Sequence, residues 1–339
     1  DGAVLVLIAT LGLLQMGHQT TPELAQLAAM AGLQWALAAA QRPGWPARAG
    51  VLAALPLLAA CGAPAMAVAL GLGALLQCWQ TADHRLRALR PWLAAATAGA
   101  VLLALPAGAW AWRMATSIDL PSLARLLLWF LWPAWPLAVW TLWQWRRHLA
   151  QRHLAVPLLG LGVAIATCVL MGGSDRALML GLPGIAVLAA FALPTLQRGG
   201  AAAIDWLSVF FFSVGAAIVW VFYAAMQTGT PAKALATVLR LAPGFSSQMS
   251  WIGLALALLA TLAWLGLVRW RTGRHRAVIW KSVVLPAGGV ALCWLLLMTL
   301  WLPLLDYSRS NRPLAERLVR HVPVGHCIAA PQAPQSLVA

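Results

Sequence analysis

The 339-residue chain is 62% hydrophobic and only 9% charged, and it carries a net charge of +15 at pH 7. Soluble domains contain about 25% charged residues, so this composition excludes a soluble globule and indicates a helical protein that crosses a membrane several times. The positive charge does not indicate a nucleic-acid partner, because basic residues of membrane proteins gather at the cytoplasmic surface and meet anionic lipid there.

Apolar segments follow one another along the chain, and we predict a transmembrane helix for each of them. The eleven predicted spans are about residues 3–16, 22–40, 49–60, 64–79, 91–111, 124–143, 154–171, 177–195, 204–225, 248–268 and 279–303. A bilayer needs about 20 residues, so the short first, third and fourth spans are candidates for tilted or re-entrant helices. We expect an all-α polytopic membrane domain over residues 1–304.

The basic residues orient the predicted spans. With residue 1 on the cytoplasmic side, most lysines and arginines fall on the cytoplasmic face, as the positive-inside rule requires. This topology places the C-terminus in the periplasm. The acidic residues divide the other way, and five of them fall on the outer face: Glu23, Asp119, Asp175, Asp306 and Glu316. A polar functional site is therefore expected on the outer face.

Both ends of the chain suggest a fragment. The chain begins at Asp1, without a Met, almost directly in an apolar segment. Residues 305–339 have a different character, with an amphipathic stretch at 313–321 and a possible strand at 327–330. We expect these residues to be the start of a truncated periplasmic α/β domain.

Tryptophan marks the ends of many predicted spans. Interfacial anchoring explains most of these residues, including Trp143, Trp270 and Trp301. One cluster is denser than anchoring requires and consists of Trp129, Trp132, Trp135 and Trp140, together with Pro133 and Pro136. Its alternative interpretation is a kinked helix that lines a groove for a lipid chain or a sugar.

The first polar cluster is the sequence GHQTTPEL at residues 17–24. Thr21 can act as a helix N-cap, Pro22 suits the first helical position, and Glu23 complements the helix dipole. Capping does not explain His18. A histidine and a carboxylate are also ligand types for a divalent metal ion, so capping and a metal site are two interpretations of this cluster.

The second cluster lies at residues 172–184, where two glycines precede Asp175 and Arg176. These two residues either neutralise each other at the membrane surface, or the arginine binds a phosphate group.

The third cluster has Lys233 and Arg240, which are seven residues apart and therefore on one face of a short amphipathic helix. That helix can lie on the membrane surface and bind anionic groups, or present a solvated face.

The fourth cluster follows the last predicted span and contains Asp306, Arg309 and Arg312. All four clusters fall on the outer face of the predicted topology, which was assigned from other residues. Together they favour a site for a lipid phosphate at the membrane surface.

Three segments resemble the GT-C glycosyltransferases, in particular the bacterial aminoarabinose transferase and protein mannosyltransferase family. Residues 18–24 resemble the family's His…Thr-Pro-Asp/Glu-Leu region. Residues 174–183 resemble its Ser-Lys-Arg…Leu-Pro stretch, with Asp175 in place of Lys. Residues 305–312 resemble its Asp-Tyr…Ser-Tyr-Arg stretch, with Asn311 in place of Tyr.

The resemblance implies a function and a set of site residues. Such enzymes transfer a sugar, with inversion, from a polyprenyl-phosphate donor to a lipid, glycan or protein acceptor at the periplasmic face of the bacterial inner membrane. By this resemblance the donor phosphate is expected to meet Arg176, Lys233, Arg240, Arg309 and Arg312. The acceptor or a divalent metal ion is expected near His18, Glu23, Asp175 and Asp306, with His18 and Glu23 as the metal ligands.

The resemblance also implies that part of the enzyme is missing. The family has about thirteen spans, and its catalytic Asp lies in the loop after the first of them. That Asp is expected upstream of residue 1, so the fragment by itself is expected to be inactive. The alternative function is a membrane transporter or lipid flippase, which the scarcity of ionisable residues near the span centres disfavours. A non-enzymatic scaffold would not need the outer polar clusters.

Overall fold

The computed structural model describes residues 1–17, 21–41, 44–81, 83–105, 118–196, 198–242, 245, 249–272 and 281–309. All regular elements in these ranges are helices. In chain order they are α1 (Gly2–Ala9), α2 (Leu11–Met16), α3 (Pro22–Ala39), α4 (Pro46–Ala60), α5 (Pro64–Gln80), α6 (His84–Arg87), α7 (Arg90–Ala104), α8 (Leu120–Phe130), α9 (Ala134–Gln144), α10 (Arg152–Leu170), α11 (Asp175–Met179), α12 (Leu182–Ala192), α13 (Arg198–Thr228), α14 (Ala232–Leu241), α15 (Trp251–Thr272), α16 (Val284–Leu296) and α17 (Leu302–Arg309). Short 3₁₀ turns lie at Leu193–Thr195 and Lys281–Val283, and a π-helical turn at Leu297–Trp301.

Three of these helices are long and apolar enough to cross a membrane: Arg152–Leu170, Ala202–Thr228 and Trp251–Thr272. A fourth span is formed if α8 and α9, which meet at an angle of 90°, cross together. The described part of the chain therefore has the architecture of an all-α membrane protein. Within the described residues each predicted apolar segment contains one or more of these helices, while the count of eleven spans and their orientation stay predictions.

The helix boundaries follow local chemistry. Proline occupies the first turn of α3, α4, α5, α7 and α8, where its missing N–H costs no hydrogen bond. The break between α8 and α9 covers residues 131–133 and includes Pro133, whose ring cannot continue a helix. The break between α1 and α2 falls at Thr10, and there the amide of Leu11 donates to the carbonyl of Trp132 at 2.9 Å.

The chain divides into two compact units. The first contains Asp1–Val209 and Leu267–Ala291, and the second contains Phe210–Gly266 and Leu292–Ala339. The predicted boundary at residue 305 stays a prediction, and residues 310–339 lie outside the described residues.

The core of the first unit is closely packed at glycine positions. A Cβ atom on Gly71 of α5 would lie 2.1 Å from Oγ1 of Thr97 on α7. A Cβ atom on Gly184 of α12 would lie 2.6 Å from the carbonyl oxygen of Pro157 on α10. Small residues at these crossings let the helix backbones approach each other closely, as in membrane helix bundles generally.

The second unit uses tryptophan to join its helices. Trp264 of α15 donates from Nε1 to Oγ of Ser213 on α13 at 3.1 Å. Trp301 donates to the carbonyl of Val219 at 3.1 Å, so this residue has a structural role beyond the interfacial anchoring predicted for it. Each hydrogen bond gives an acceptor to an indole N–H that would find none in the lipid chains.

Candidate functional site

The candidate site begins at the N-terminus of α3. Thr21 occupies the N-cap position with an extended backbone (φ −123°, ψ 156°), and Pro22 lies in the first turn. The predicted helix start is confirmed. The hydroxyl of Thr21 does not, however, make the capping hydrogen bond to the helix backbone. Helix capping therefore explains the position of Glu23 only in part.

A tight turn after α10 positions the second half of the site. Gly172 and Gly173 have φ values of 73° and 97°, which only glycine adopts readily. Ser174 then caps α11, because its Oγ accepts a hydrogen bond from the amide of Ala177 at 3.3 Å. The turn brings the next residues, Asp175 and Arg176, back toward the end of the bundle where α3 begins.

Arg176 and Glu23 form an ion pair that connects the two clusters. Nη1 of Arg176 donates to Oε1 of Glu23 at 2.9 Å, although the residues are 153 positions apart. The Glu23 side chain is 14% exposed and the Arg176 side chain is 60% exposed. The carboxylate is thus largely enclosed, while the guanidinium faces outward.

The side chain of Arg176 pairs with Glu23 rather than with Asp175, its partner in one of the two interpretations of this cluster. Oδ1 of Asp175 accepts a hydrogen bond from the backbone amide of Arg176 at 2.8 Å. This contact is a local one at the start of α11. The arginine side chain pairs with Glu23 instead, because the Gly172–Gly173 turn directs it toward α3.

The surroundings of Glu23 keep it ionised. Burial by itself raises the pKa of the Glu23 carboxyl, but the Thr21 hydroxyl, the helix backbone amide and Arg176 outweigh burial, so the pKa lies below its usual value. Oε2 of Glu23 is buried and has no hydrogen-bond partner of good geometry among the described residues.

Arg176 retains the chemistry of an anion-binding group. Only Nη1 is engaged by Glu23, and Nε and Nη2 have no acceptor within the described ranges. A guanidinium offers five donors in a planar fork that suits phosphate oxygens. Glu23 fixes one branch of that fork, and the other branch faces outward.

The metal prediction at this site is not tested by the structure. His18 lies outside the described residues. Within the described ranges no group of three His, Cys, Asp or Glu side chains gathers as metal ligands would. The positive charge of Arg176 beside Glu23 would oppose a divalent cation at the same oxygen.

The third and fourth clusters belong to the second unit. The predicted amphipathic helix is confirmed as α14, in which Lys233 and Arg240 are exposed and Val238 is buried at 4% exposure. Phe245 contacts Tyr307 with a distance of 5.5 Å between ring centroids. This contact places Phe245 beside α17, the helix that carries Asp306.

The last predicted site residues lie on α17 or after it. Asp306 is exposed on α17. Arg309 ends the same helix, but its side chain is outside the described set, and Arg312 lies outside the described residues. The structure therefore brings Glu23 together with Arg176, while the predicted roles of Lys233, Arg240, Asp306, Arg309 and Arg312 stay predictions.

Two further ion pairs were missed from the sequence. Arg152 donates to Oδ2 of Asp83 at 3.1 Å, and Arg271 pairs with Asp205, with 3.3 Å between Nε and Oδ1. With residue 1 on the cytoplasmic side, the alternating predicted spans place these four residues on the cytoplasmic face. They place Glu23 and Arg176 on the outer face, so the partners of each pair share a face in the predicted topology.

The chain has no counterpart in the comparisons with known proteins. No protein-family model, no curated protein and no solved structure matches it.

Proposed function

We propose that the protein is an integral membrane glycosyltransferase of the GT-C type. It transfers a sugar from a polyprenyl-phosphate donor to a lipid, glycan or protein acceptor at the periplasmic face of the bacterial inner membrane. The observation that carries the proposal is the Arg176–Glu23 ion pair at 2.9 Å. It joins two of the segments whose sequences resemble that family, although 153 positions separate them.

The chemistry of the pair suits the donor phosphate. In the proposed reaction the acceptor oxygen forms a bond to the anomeric carbon, and the bond from that carbon to the phosphate oxygen breaks. Negative charge develops on the departing polyprenyl phosphate. A guanidinium held by a carboxylate is preorganised to stabilise that charge without reorientation. Arg176 takes this role in the proposal.

Glu23 positions Arg176 and does not act as the general base. A general base works best when its pKa lies near the working pH, whereas the pKa of Glu23 is lowered. Its oxygen Oε1 is also occupied by the arginine. The resemblance assigns proton abstraction from the acceptor to an aspartate, a residue other than Glu23.

In the proposal, α14 of the second unit attracts anionic groups at the membrane surface. α14 is amphipathic and presents Lys233 and Arg240 on its exposed side. Such a helix lies at the membrane–water boundary, where its cations meet lipid phosphates. The proposal assigns the same attraction to Arg309 and Arg312.

The test measures transfer and donor binding separately. Membranes containing the protein as its gene encodes it are incubated with polyprenyl-phosphate donors that carry a labelled sugar, and the label is followed from the lipid to the acceptor fraction. We expect transfer from at least one donor and a loss of 100-fold or more in Arg176→Ala. Donors that retain all their label across a broad panel of sugars would refute the proposal.

A transporter or lipid flippase is the second candidate, and one observation favours it. α8 and α9 meet at 90°, and broken helices are frequent at transporter substrate sites. The two functions differ in their products. A flippase moves the intact sugar-lipid between leaflets of a vesicle, whereas a transferase releases polyprenyl phosphate.

A further inference from the structure

The first unit contains an apolar groove of about 440 Å³ between α1, α3, α10 and α12. Its walls include Trp35, Ala38, Val156, Val187 and Phe191. A volume of this size is typical of sites for small molecules or lipid chains. The predominantly apolar lining disfavours a sugar or a polar peptide, because their hydroxyl and amide groups would lose hydrogen bonds to water.

The groove exists because α3 presents small residues beside one large aromatic residue. Ala31 and Ala38 lie on either side of Trp35, at helical spacings of three to four residues. All three side chains are exposed, and Trp35 has 56% of its surface open. The alanines leave a channel along this face of α3, and the indole forms one wall of it.

One polar side chain lies in this apolar lining. Gln34 is only 9% exposed, and its Nε2 has no hydrogen-bond acceptor in the part of the chain that the structure describes. Gly160 makes room for the carboxamide, because a Cβ atom there would lie 2.5 Å from Nε2. The carboxamide is therefore held against α10, and the rest of the lining is almost entirely apolar apart from one end.

One end of the groove is basic. Gln41, Arg152 and His153 line this end. Arg85 donates from Nη1 to the backbone carbonyl of Gln41, and Arg152 pairs with Asp83 at 3.1 Å.

The segment that contains Asp83 and Arg85 carries two more arginines. Arg87 and Arg90 hydrogen-bond to the carbonyls of Thr81 and Cys78, at the C-terminal end of α5. Asp83 is the single carboxylate in the sequence 81–90, against three arginines. The basic end therefore carries a net positive charge, and each guanidinium has further N–H groups beyond the bond it makes.

The groove is separate from the proposed donor site. Gln34 follows Glu23 by eleven residues on α3, which corresponds to about 16 Å along the helix axis. Gln41 lies further in the same direction, past the C-terminal end of the helix. The basic end of the groove and the Glu23–Arg176 pair are thus at opposite ends of α3. A ligand in the groove is therefore independent of the proposed function.

We propose that this groove binds an anionic glycerophospholipid. One acyl chain lies along the apolar channel beside Trp35 and Val156. The phosphate headgroup meets Arg85, Arg152 and His153 at the basic end. An apolar channel with a cationic mouth matches an amphiphile of this kind in both charge and polarity.

The experiment uses the purified chain in lipid nanodiscs of phosphatidylcholine. The probe is phosphatidylglycerol that carries a photoactivatable diazirine in one acyl chain. After illumination and digestion, the labelled residues are identified by mass spectrometry. We expect label concentrated on the segments 31–38 and 153–160, and we expect unlabelled phosphatidylglycerol to compete at least fivefold better than phosphatidylcholine.

Two matched variants distinguish labelling by lipid in the groove from labelling by the lipid that surrounds the protein. Ala38→Phe fills the channel at an exposed position and is expected to lower labelling of these segments at least fivefold. Ala95→Phe makes the same change at an exposed position of α7 that does not line the groove, and labelling is expected to be unchanged. Arg85→Gln is expected to reduce the preference for phosphatidylglycerol without removing the label.

Several outcomes would overturn the proposal. Label spread evenly over the apolar helices would show ordinary lipid contact. Equal competition by both lipids would show that the basic end does not select an anionic headgroup. Absence of label from the segments 31–38 and 153–160 would show that an acyl chain does not occupy the groove. If Ala38→Phe fails to fold, the distribution of label in the unchanged chain decides between these results.

Discussion

Arg176 and Glu23 hold together two helix beginnings that are far apart in the sequence. Nη1 of Arg176 lies 2.9 Å from Oε1 of Glu23, and the carboxylate is the more enclosed partner, with 14% of its side chain exposed against 60% for the arginine. This asymmetry gives the two residues different roles. Glu23 is a fixed anchor, and Arg176 is the group that an incoming anion meets.

Replacing Arg176 should weaken donor binding more than it lowers the stability of the protein. Arg176→Ala leaves the enclosed Glu23 carboxylate without its cation, and we expect a loss of about 1 kcal/mol in the free energy of unfolding, because the arginine is largely solvated. The affinity for a polyprenyl phosphate, measured from the quenching of tryptophan fluorescence, should fall at least tenfold. Asp175→Asn is the matched control, since the hydrogen bond of Asp175 within the described ranges goes to the Arg176 backbone amide and not to its guanidinium. Equal weakening in both variants would contradict the assignment of the phosphate to Arg176.

The ion pair should also make stability depend on pH in the acid range. The pKa of Glu23 is lowered in the folded protein, so the folded state binds a proton less readily than the unfolded chain. The contribution of Glu23 is then complete above the usual glutamate pKa of about 4.3, and it is lost as the pH falls through the lower folded-state value.

Thermal unfolding of the detergent-solubilised protein between pH 7 and pH 3 measures this effect. We expect the difference in midpoint between the unchanged chain and Glu23→Gln to be constant from pH 7 to pH 5 and to shrink below pH 4. A difference that does not change with pH would show that the carboxylate is not stabilised in its charged form.

The positions of the helices were predictable from composition, but their interruptions were not. The segment predicted at 22–40 is the helix Pro22–Ala39, and that at 154–171 is Arg152–Leu170. The segment predicted at 3–16 is broken at Thr10, where the amide of Leu11 donates to the carbonyl of Trp132. That bond joins parts of the chain more than a hundred residues apart, and local hydropathy contains no information about it.

The face of each helix that is buried was equally hidden in the sequence. Met30 is fully buried while its neighbour Ala31 is exposed to the groove. Both residues are apolar, and in a membrane protein an apolar side chain suits lipid as well as it suits the core. A soluble helix would have distinguished the two faces by polarity.

The candidate site was predicted in its residues but not in its pairing. Charge bias placed Glu23 and Arg176 on the same face. Adjacency in the sequence suggested Asp175 as the partner of Arg176, and the structure assigns Glu23 instead. The difference arises from the turn at Gly172 and Gly173, whose positive φ values redirect the chain before α11.

Close packing of α10 on α12 should make Gly184 intolerant of any side chain. A Cβ atom at Gly184 would lie 2.6 Å from the backbone carbonyl of Pro157, and backbone cannot move aside as a flexible side chain can. We expect Gly184→Ala to lower the free energy of unfolding by about 1–3 kcal/mol. The measurement is an unfolding titration with sodium dodecyl sulfate in mixed micelles.

Gly162→Ala is the matched control on α10. A Cβ atom at Gly162 would have no heavy atom within 4 Å, and alanine favours a helix over glycine by about 1 kcal/mol in water. This variant should therefore be neutral or slightly stabilising. If both alanine variants are equally tolerated, the close approach of α10 and α12 is not a feature of the folded protein.

Trp264 should stabilise the second unit through its hydrogen bond as well as its size. Its indole is 4% exposed and donates to Oγ of Ser213 at 3.1 Å. Trp264→Phe removes both the donor and some volume, so the single change confounds the two effects. A double-mutant cycle with Ser213→Ala isolates the hydrogen bond, because the volume loss is common to both backgrounds.

We expect a coupling of about 0.6 kcal/mol, the average for hydrogen bonds between membrane helices, measured by the same detergent titration. Trp251→Phe serves as the control, because Trp251 lies on the same helix and is 73% exposed; combined with Ser213→Ala it should give a coupling near zero. Additive effects of Trp264→Phe and Ser213→Ala would mean that this hydrogen bond contributes nothing net. The indole would then stabilise α13 against α15 through packing alone, including its edge-on contact with Phe212 at 6.3 Å.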